Sequence, residues 1–110
     1  MTQYQAFTTD ELEKQQGNDR PYREFLRREG MSLGIYTLPV GGADSQHPHA
    51  ADEVYFVLRG QAALVVEDRR IEVSPGSIVS VDRGAEHHFV DITEELSLMV
   101  IFAPASTPET

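Results

Sequence analysis

From Tyr22 onward the chain is a succession of short segments rich in β-branched and aromatic residues, each closed by glycine, proline or a charged turn. Segments of this length and composition are typical of β-strands, and Gly and Pro mark the turns between them. About eight or nine such strands follow one another at close spacing. The pattern predicts an all-β sandwich or a closed barrel.

Two of the predicted turns lie inside the segments with the strongest β character. Gly60 separates Glu53–Arg59 from Gln61–Glu67 and is interpreted as the turn of a hairpin. Thr93, Glu94 and Glu95 form a second break, before the strand predicted from residue 96 to residue 103.

The N-terminal residues favour a short helix instead of a strand. Thr8 is a potential N-cap, Glu11 completes a capping box, and Phe7 and Leu12 are spaced as a hydrophobic staple. Gly17 is a natural end for this helix. We expect it to pack on the main body without a chemical role.

The chain of 110 residues has the size of a single domain. We predict a helical appendage over residues 1–21, a β-barrel over 22–104 and a mobile tail over 105–110, because the tail ASTPET lacks packing residues.

Composition excludes several classes of function. A net charge of −9 disfavours binding to nucleic acids and to anionic membrane surfaces, and the chain has no cysteine for disulfides or thiolate chemistry. No apolar run approaches the roughly 20 residues of a membrane span. With a polar, acidic N-terminus, these features lead us to expect a cytoplasmic protein.

The segment from Gly41 to Gly60 carries the strongest chemical signal. His47 and His49 are two residues apart and Glu53 follows at an even offset, so all three side chains can face one point if the chain is extended. Two imidazoles and a carboxylate that converge in this way are a plausible start to a metal site.

The spacing of this segment resembles the first motif of the cupin superfamily. Gly41, His47, His49, Glu53 and Gly60 stand at every defined position of that motif. Together with the second motif described next, the resemblance spans about half of the chain.

A second segment is similar to the second cupin motif. Gly76, Gly84 and His87 are in register with it. Two positions depart from the family pattern: Asp82 stands where proline is usual, and Asp91 where asparagine is usual. Both are positions that support turns and loops, so we expect any effect on local loop shape and not on the site.

The resemblance implies a fold, a ligand set and an assembly. The fold would be a double-stranded β-helix, or jelly-roll barrel, with the short helix at its N-terminus. One divalent transition metal per chain would be held inside by His47, His49, Glu53 and His87. Small barrels that the chain resembles are often dimers, and we predict a homodimer.

The physical case for a metal is independent of the resemblance. Three histidines and a carboxylate inside an apolar barrel are costly to bury unpaired, and a divalent cation removes that cost. The alternative is a hydrogen-bonded polar cluster without metal. Nitrogen ligands with one carboxylate suit Fe, Mn, Co, Ni, Cu or Zn, and four ligands on a six-coordinate ion leave two positions open.

Residues beside the predicted ligands have defined directions on a strand. Tyr55 shares the direction of Glu53, and it either donates to a bound substrate or is a packed tyrosine whose hydroxyl is satisfied. Phe89 shares the direction of His87, whereas His88 points the opposite way, to the surface. Val54, Phe56 and Leu58 face away from the site and need cover from a second sheet or another subunit.

Two classes of function fit these residues. The first is a metalloenzyme for a small organic molecule, most simply a dioxygenase-type oxidoreductase, with isomerase or lyase chemistry as a variant. The second is a non-catalytic module that binds a small molecule or a metal. Because one fold hosts many functions, the fold does not decide between them.

Overall fold

The structure is a computed structural model that describes residues 3–17, 20–44 and 49–106. In these ranges one helix precedes six strands. Their bounds are α1 (Thr9–Lys14), β1 (Tyr22–Arg28), β2 (Met31–Leu38), β3 (Asp52–Val66), β4 (Arg69–Val73), β5 (Ile78–Val81) and β6 (His87–Ala103). The prediction of an all-β fold with a short N-terminal helix is confirmed.

The sheet is antiparallel and its strand order is β1-β2-β6-β3-β4, with β5 paired to β3. Strand β3 is central because its two halves have different neighbours. The first half, from Glu53 to Phe56, lies between β5 and the second half of β6. The second half, from Ala62 to Val66, lies between β4 and the first half of β6. The two long strands thereby wrap the sheet around a buried interior.

The hairpin predicted at Gly60 is wrong, and so is the turn predicted at Thr93 to Glu95. β3 and β6 run through both positions as continuous strands whose register shifts there. Gly60 has a positive φ of 98°, and a Cβ at this position would lie 2.2 Å from the carbonyl oxygen of Glu95. Gly60 therefore allows the bent strands β3 and β6 to approach each other. Each of these strands was predicted as two, so the structure has fewer and longer strands than the eight or nine predicted.

The helix begins where the capping residues predict it, but it ends at Lys14, before the predicted end at Gly17. Thr8 is extended at the N-cap, and its hydroxyl accepts a hydrogen bond from the Glu11 N–H at 3.2 Å. Leu12 is the buried residue of the helix. Glu13 reaches Arg59 on β3 at 2.7 Å, so the helix packs on the barrel as an appendage.

The C-terminal segment differs from the predicted mobile tail at Ser106. Its side chain is buried, and its backbone N–H donates to Ser32 Oγ on β2 at 2.9 Å. Arg27 donates to its carbonyl oxygen. The segment from Ala105 to Ser106 thus packs across β1 and β2, and residues 107–110 lie outside the described part of the chain.

The core lies inside the barrel and is built from the inward-facing residues of every strand except the exposed edge of β1. Tyr55, Val57, Phe89 and Phe102 are among its buried members. On the outer face Phe56 is half-buried between Ile78 on β5 and Met99 on β6, and Ile78 is 68% exposed. The homodimer predicted from this outer face stays a prediction.

No helix in the described part of the chain is long and apolar enough to cross a membrane.

Candidate metal centre

Three of the four predicted ligands meet inside the barrel. One ligand atom from each of His49, Glu53 and His87 lies within 4.8 Å of the others, and all three residues are buried. Glu53 Oε2 is 2.9 Å from His87 Nε2, and Glu53 Oε1 is 3.7 Å from His49 Nε2. His47, the fourth predicted ligand, lies outside the described residues.

Strand pairing positions Glu53 in the middle of this group. It lies on β3 opposite Val81 of β5 and Phe102 of β6, both buried. The residue is 2% exposed, so water does not compensate the charge of its carboxylate. Tyr55, two residues along the same strand, donates a hydrogen bond to Glu53 Oε1 at 3.0 Å.

The Tyr55 contact fits the interpretation of this residue as a packed tyrosine. Its hydroxyl is used to orient the carboxylate of Glu53, and its ring packs edge-on against Phe89 with centroids 5.1 Å apart. Tyr55 is therefore a packed residue that holds a candidate ligand in place.

His87 is held in one tautomer by the loop that precedes it. Its Nδ1 lies 2.8 Å from the carbonyl oxygen of Ala85, which accepts only if Nδ1 carries the proton. Nε2 of the neutral ring then has a lone pair that faces the Glu53 carboxylate at 2.9 Å. Two acceptors at this distance need a proton or a cation between them.

The pKa of His87 reflects the same conflict. Burial lowers it, but the Glu53 carboxylate, the Ala85 carbonyl and the charge of Asp44 together raise the pKa of His87 above its ordinary value. In the absence of a metal the raised pKa favours the protonated ring, which pairs with Glu53. A metal at this point would take the place of that proton.

The two sequence motifs are joined directly by hydrogen bonds. The Gly84 N–H donates to the carbonyl oxygen of His49 at 2.9 Å. The backbone N–H of Arg83 and its guanidinium both reach the carboxylate of Asp52, and these hydrogen bonds hold the pKa of Asp52 below its ordinary value. The loop that carries His87 is thus tied to the segment that carries His49 and Glu53.

The departures from the family pattern leave this arrangement intact. Asp91 has a positive φ of 50°, in the left-handed region that Asn and Asp tolerate better than other residues. Its carboxylate accepts from Arg70 at 2.7 Å. At Asp82 the backbone carbonyl accepts from the Ala85 N–H at 3.1 Å, which closes the loop before His87.

His88 is exposed and paired with Val65 on the outer surface, as its position on the strand predicts. The prediction that its side chain points away from the site is confirmed.

Two residues near the site had no role in the sequence prediction. Asp44 accepts from the Tyr36 hydroxyl at 2.6 Å and from the Phe89 N–H at 2.8 Å, so it anchors the segment that leads to residues 45–48. Phe102 packs its ring edge-on against His49 with centroids 5.2 Å apart. The sequence around Asp44, which follows two glycines, and around Phe102, which lies on a distant strand, contains no pattern that predicts these contacts.

The donor set fits a divalent transition metal. It provides imidazole nitrogens and one carboxylate at a buried point, and the Glu53–His87 pair lacks a bridging charge when the ring is neutral. The ring of Phe102 packs against His49, and the ring of Phe89 packs against Tyr55.

Comparison with known proteins identifies the family. A family model described as Cupin domain matches residues 34–103, more than half of the chain. The chain is 48% identical over 100 residues to the uncharacterised protein SCO3923 of Streptomyces coelicolor, and the match covers 90% of this chain and 95% of that protein.

Solved structures share the fold. A protein with a double-stranded β-helix domain from Klebsiella pneumoniae has a TM-score of 0.78 at 18% identity, covering 93% of this chain and 91% of that one. The protein TT1209 from Thermus thermophilus has a TM-score of 0.75 at 24% identity, covering 91% of this chain and 97% of that one. The family model, together with the glycine, histidine and glutamate spacing of the two motifs, leads to one conclusion: the chain belongs to the cupin family.

Proposed function

We propose that this cupin binds one divalent transition metal per chain and uses it as a dioxygenase-type metalloenzyme on a small organic molecule. The observation that carries the proposal is the Glu53–His87 pair, in which a carboxylate oxygen and an imidazole nitrogen lie 2.9 Å apart and are nearly inaccessible to water. His49, Glu53 and His87 would hold the ion, and His47 would be the fourth ligand.

A bound ion would supply Lewis acidity and open coordination positions for O₂ and an organic substrate. Residues of the chain would orient the ligands and keep water away from the ion. The Tyr55 hydroxyl holds Glu53 in one orientation, the Ala85 carbonyl holds His87 with Nε2 towards the site, and the rings of Phe89 and Phe102 exclude water.

The proposal is tested by metal content and O₂ uptake. Protein loaded with Fe(II) or Mn(II) should contain about one ion per chain and consume O₂ with at least one member of a panel of catechols, flavonols and diketones. The matched controls are His87→Ala, which should consume none, and His88→Ala, which should behave as the unaltered chain.

The possible results separate the two classes of function. One ion per chain without O₂ uptake on any substrate of the panel would contradict the proposed dioxygenase and favour a metal-binding module. Failure to bind any ion, under conditions that load a control metalloprotein, would contradict both.

Metal affinity is expected to rise with pH. Because the pKa of His87 is raised in the metal-free fold, the ring is protonated below that pKa and the metal must displace the proton. Affinity should increase up to about tenfold per pH unit from pH ~5.5, continue to rise above the ordinary histidine value of about 6.5, and then level off.

The stability of the metal-free protein should change with pH in the opposite direction to its metal affinity. The ion pair of protonated His87 with Glu53 stabilises the fold fully at pH values below the unfolded pKa and is lost as pH rises through the higher folded pKa.

The metal affinity at each pH is measured by competition titration with a chelator, corrected for the protonation of the chelator itself. A flat affinity from pH ~5.5 to ~8 would contradict the role of His87 as a proton-competing ligand.

A further inference from the structure

The hydroxyl of Tyr22 is buried inside the barrel without a visible function. Tyr22 is the first residue of β1, and its ring packs edge-on against Tyr36 and Phe102 with centroids 6.4 Å and 6.1 Å away. Its oxygen is inaccessible to water and has no hydrogen-bond partner among the residues that the structure describes. Buried hydroxyls are normally paired, so an unused one calls for a ligand or a water.

The two buried tyrosines, Tyr36 and Tyr55, differ from the half-buried Tyr22 in this respect. The Tyr36 hydroxyl donates to Asp44 and the Tyr55 hydroxyl donates to Glu53. Tyr36 and Tyr55 are therefore committed to the fold and to the candidate ligand, whereas the Tyr22 hydroxyl is available.

Gly34 makes the position of Tyr22 possible. A Cβ at residue 34 of β2 would lie 2.3 Å from both the Cζ and the hydroxyl oxygen of Tyr22. Every other residue type would displace the ring. The absence of a side chain at Gly34 thus creates the space in which the hydroxyl end of the Tyr22 ring lies.

Tyr22 is linked to the metal centre through one aromatic ring. The ring of Phe102 contacts both the ring of Tyr22 and the imidazole of His49, and its backbone is paired with Glu53. Burial and the carboxylates of Glu24 and Glu53 raise the pKa of Tyr22 far above its ordinary value. The hydroxyl stays protonated at physiological pH and is a hydrogen-bond donor.

We propose that Tyr22 donates this hydrogen bond to an oxygen atom of a small organic anion that binds the metal, such as a carboxylate, an enolate or a hydroxamate. The inference rests on the proposed metal site and adds the class of ligand. A neutral donor beside acidic residues favours a ligand whose oxygen is a strong acceptor, and the cation offsets the charge of that anion. Tyr22 is then a residue that determines specificity for oxygen ligands.

The test compares Tyr22→Phe with the unaltered chain, both loaded with Co(II) and titrated with acetohydroxamate. The visible absorption of the ion reports binding of the anion. We expect the dissociation constant of acetohydroxamate to rise about tenfold in Tyr22→Phe, because one hydrogen bond is lost. The affinity for Co(II) itself should stay within about twofold.

Tyr36→Phe is the matched control because it removes a buried tyrosine hydroxyl that already has a partner. This variant should lose thermal stability, and at equal cobalt content it should bind acetohydroxamate as tightly as the unaltered chain. Tyr22→Phe should keep or gain thermal stability, since its hydroxyl has no partner to lose among the described residues.

Three results would contradict the proposal in distinguishable ways. Equal acetohydroxamate affinity of Tyr22→Phe and the unaltered chain, at normal cobalt content, would overturn the role of Tyr22 alone and leave a buried water as its partner. A loss of thermal stability in Tyr22→Phe as large as in Tyr36→Phe would show that the hydroxyl is engaged in the fold. Absence of cobalt in the unaltered chain would overturn the metal site and the inference with it.

Discussion

Replacing His87 with alanine is expected to lower the affinity of the chain for Co(II) or Zn(II) by at least about 100-fold, since loss of residues that only support a ligand already costs 10- to 100-fold. Nε2 of His87 is 2.9 Å from Glu53 and nearly inaccessible to water, so no other side chain of the described site can take its place. The measurement is the metal content after dialysis, followed by competition titration.

His88→Ala is the control for this prediction. His88 is adjacent in sequence and exposed on the opposite face of β6, so its removal should leave the affinity within about twofold. Equal losses of affinity in the two variants would contradict the assignment of His87 as a ligand. A normal metal content in His87→Ala would contradict it as well.

Replacing Gly60 with alanine is expected to lower the free energy of unfolding by about 2–6 kcal/mol, from strained backbone and overpacking of about 1–3 kcal/mol each. The backbone at Gly60 has a φ of 98°, and the new Cβ would lie 2.2 Å from a backbone carbonyl that cannot move away independently. Small domains are stable by roughly 5–15 kcal/mol, so this change removes a large fraction of the stability. Equilibrium unfolding in urea measures it.

Gly30→Ala is the matched control. Gly30 lies in the turn between β1 and β2, and no atom lies within 4 Å of the position that a Cβ would occupy. The same chemical change should therefore alter stability by less than about 1 kcal/mol. Equal urea midpoints for the two variants would mean that β3 and β6 do not approach each other closely at Gly60.

The candidate site was largely predictable because its signal is local. His49 and Glu53 are close in sequence, and the spacing of the motif marks both as candidate ligands, although the chain between them bends at Ala50 and Ala51 before β3 begins at Asp52. The alternation of side chains along a strand separates His87 from His88 correctly. The helix was predictable for a similar reason, since Thr8 and Glu11 determine its first turn through contacts only three residues apart.

The path of the strands was less predictable. Glycine between two β segments usually marks a turn, and Gly60 was interpreted in that way. In the structure the same glycine allows β3 to bend against β6 at Glu95, a contact between residues far apart in sequence. Ser106 illustrates the same limit, because a polar residue in a polar tail becomes buried only through its partner Ser32 on β2.

The sequence by itself determined the β-rich class, the helix cap, and the opposite directions of His87 and His88, because these depend on residue type and on the two-residue period of a strand. Only the tertiary structure decided that Glu53 and His87 meet at 2.9 Å, that the Tyr55 hydroxyl orients Glu53, and that Tyr22 lies over Gly34 with its hydroxyl unused by the described residues. These contacts join different strands or depend on rotamers, so pairing of distant segments creates them and no local pattern encodes them.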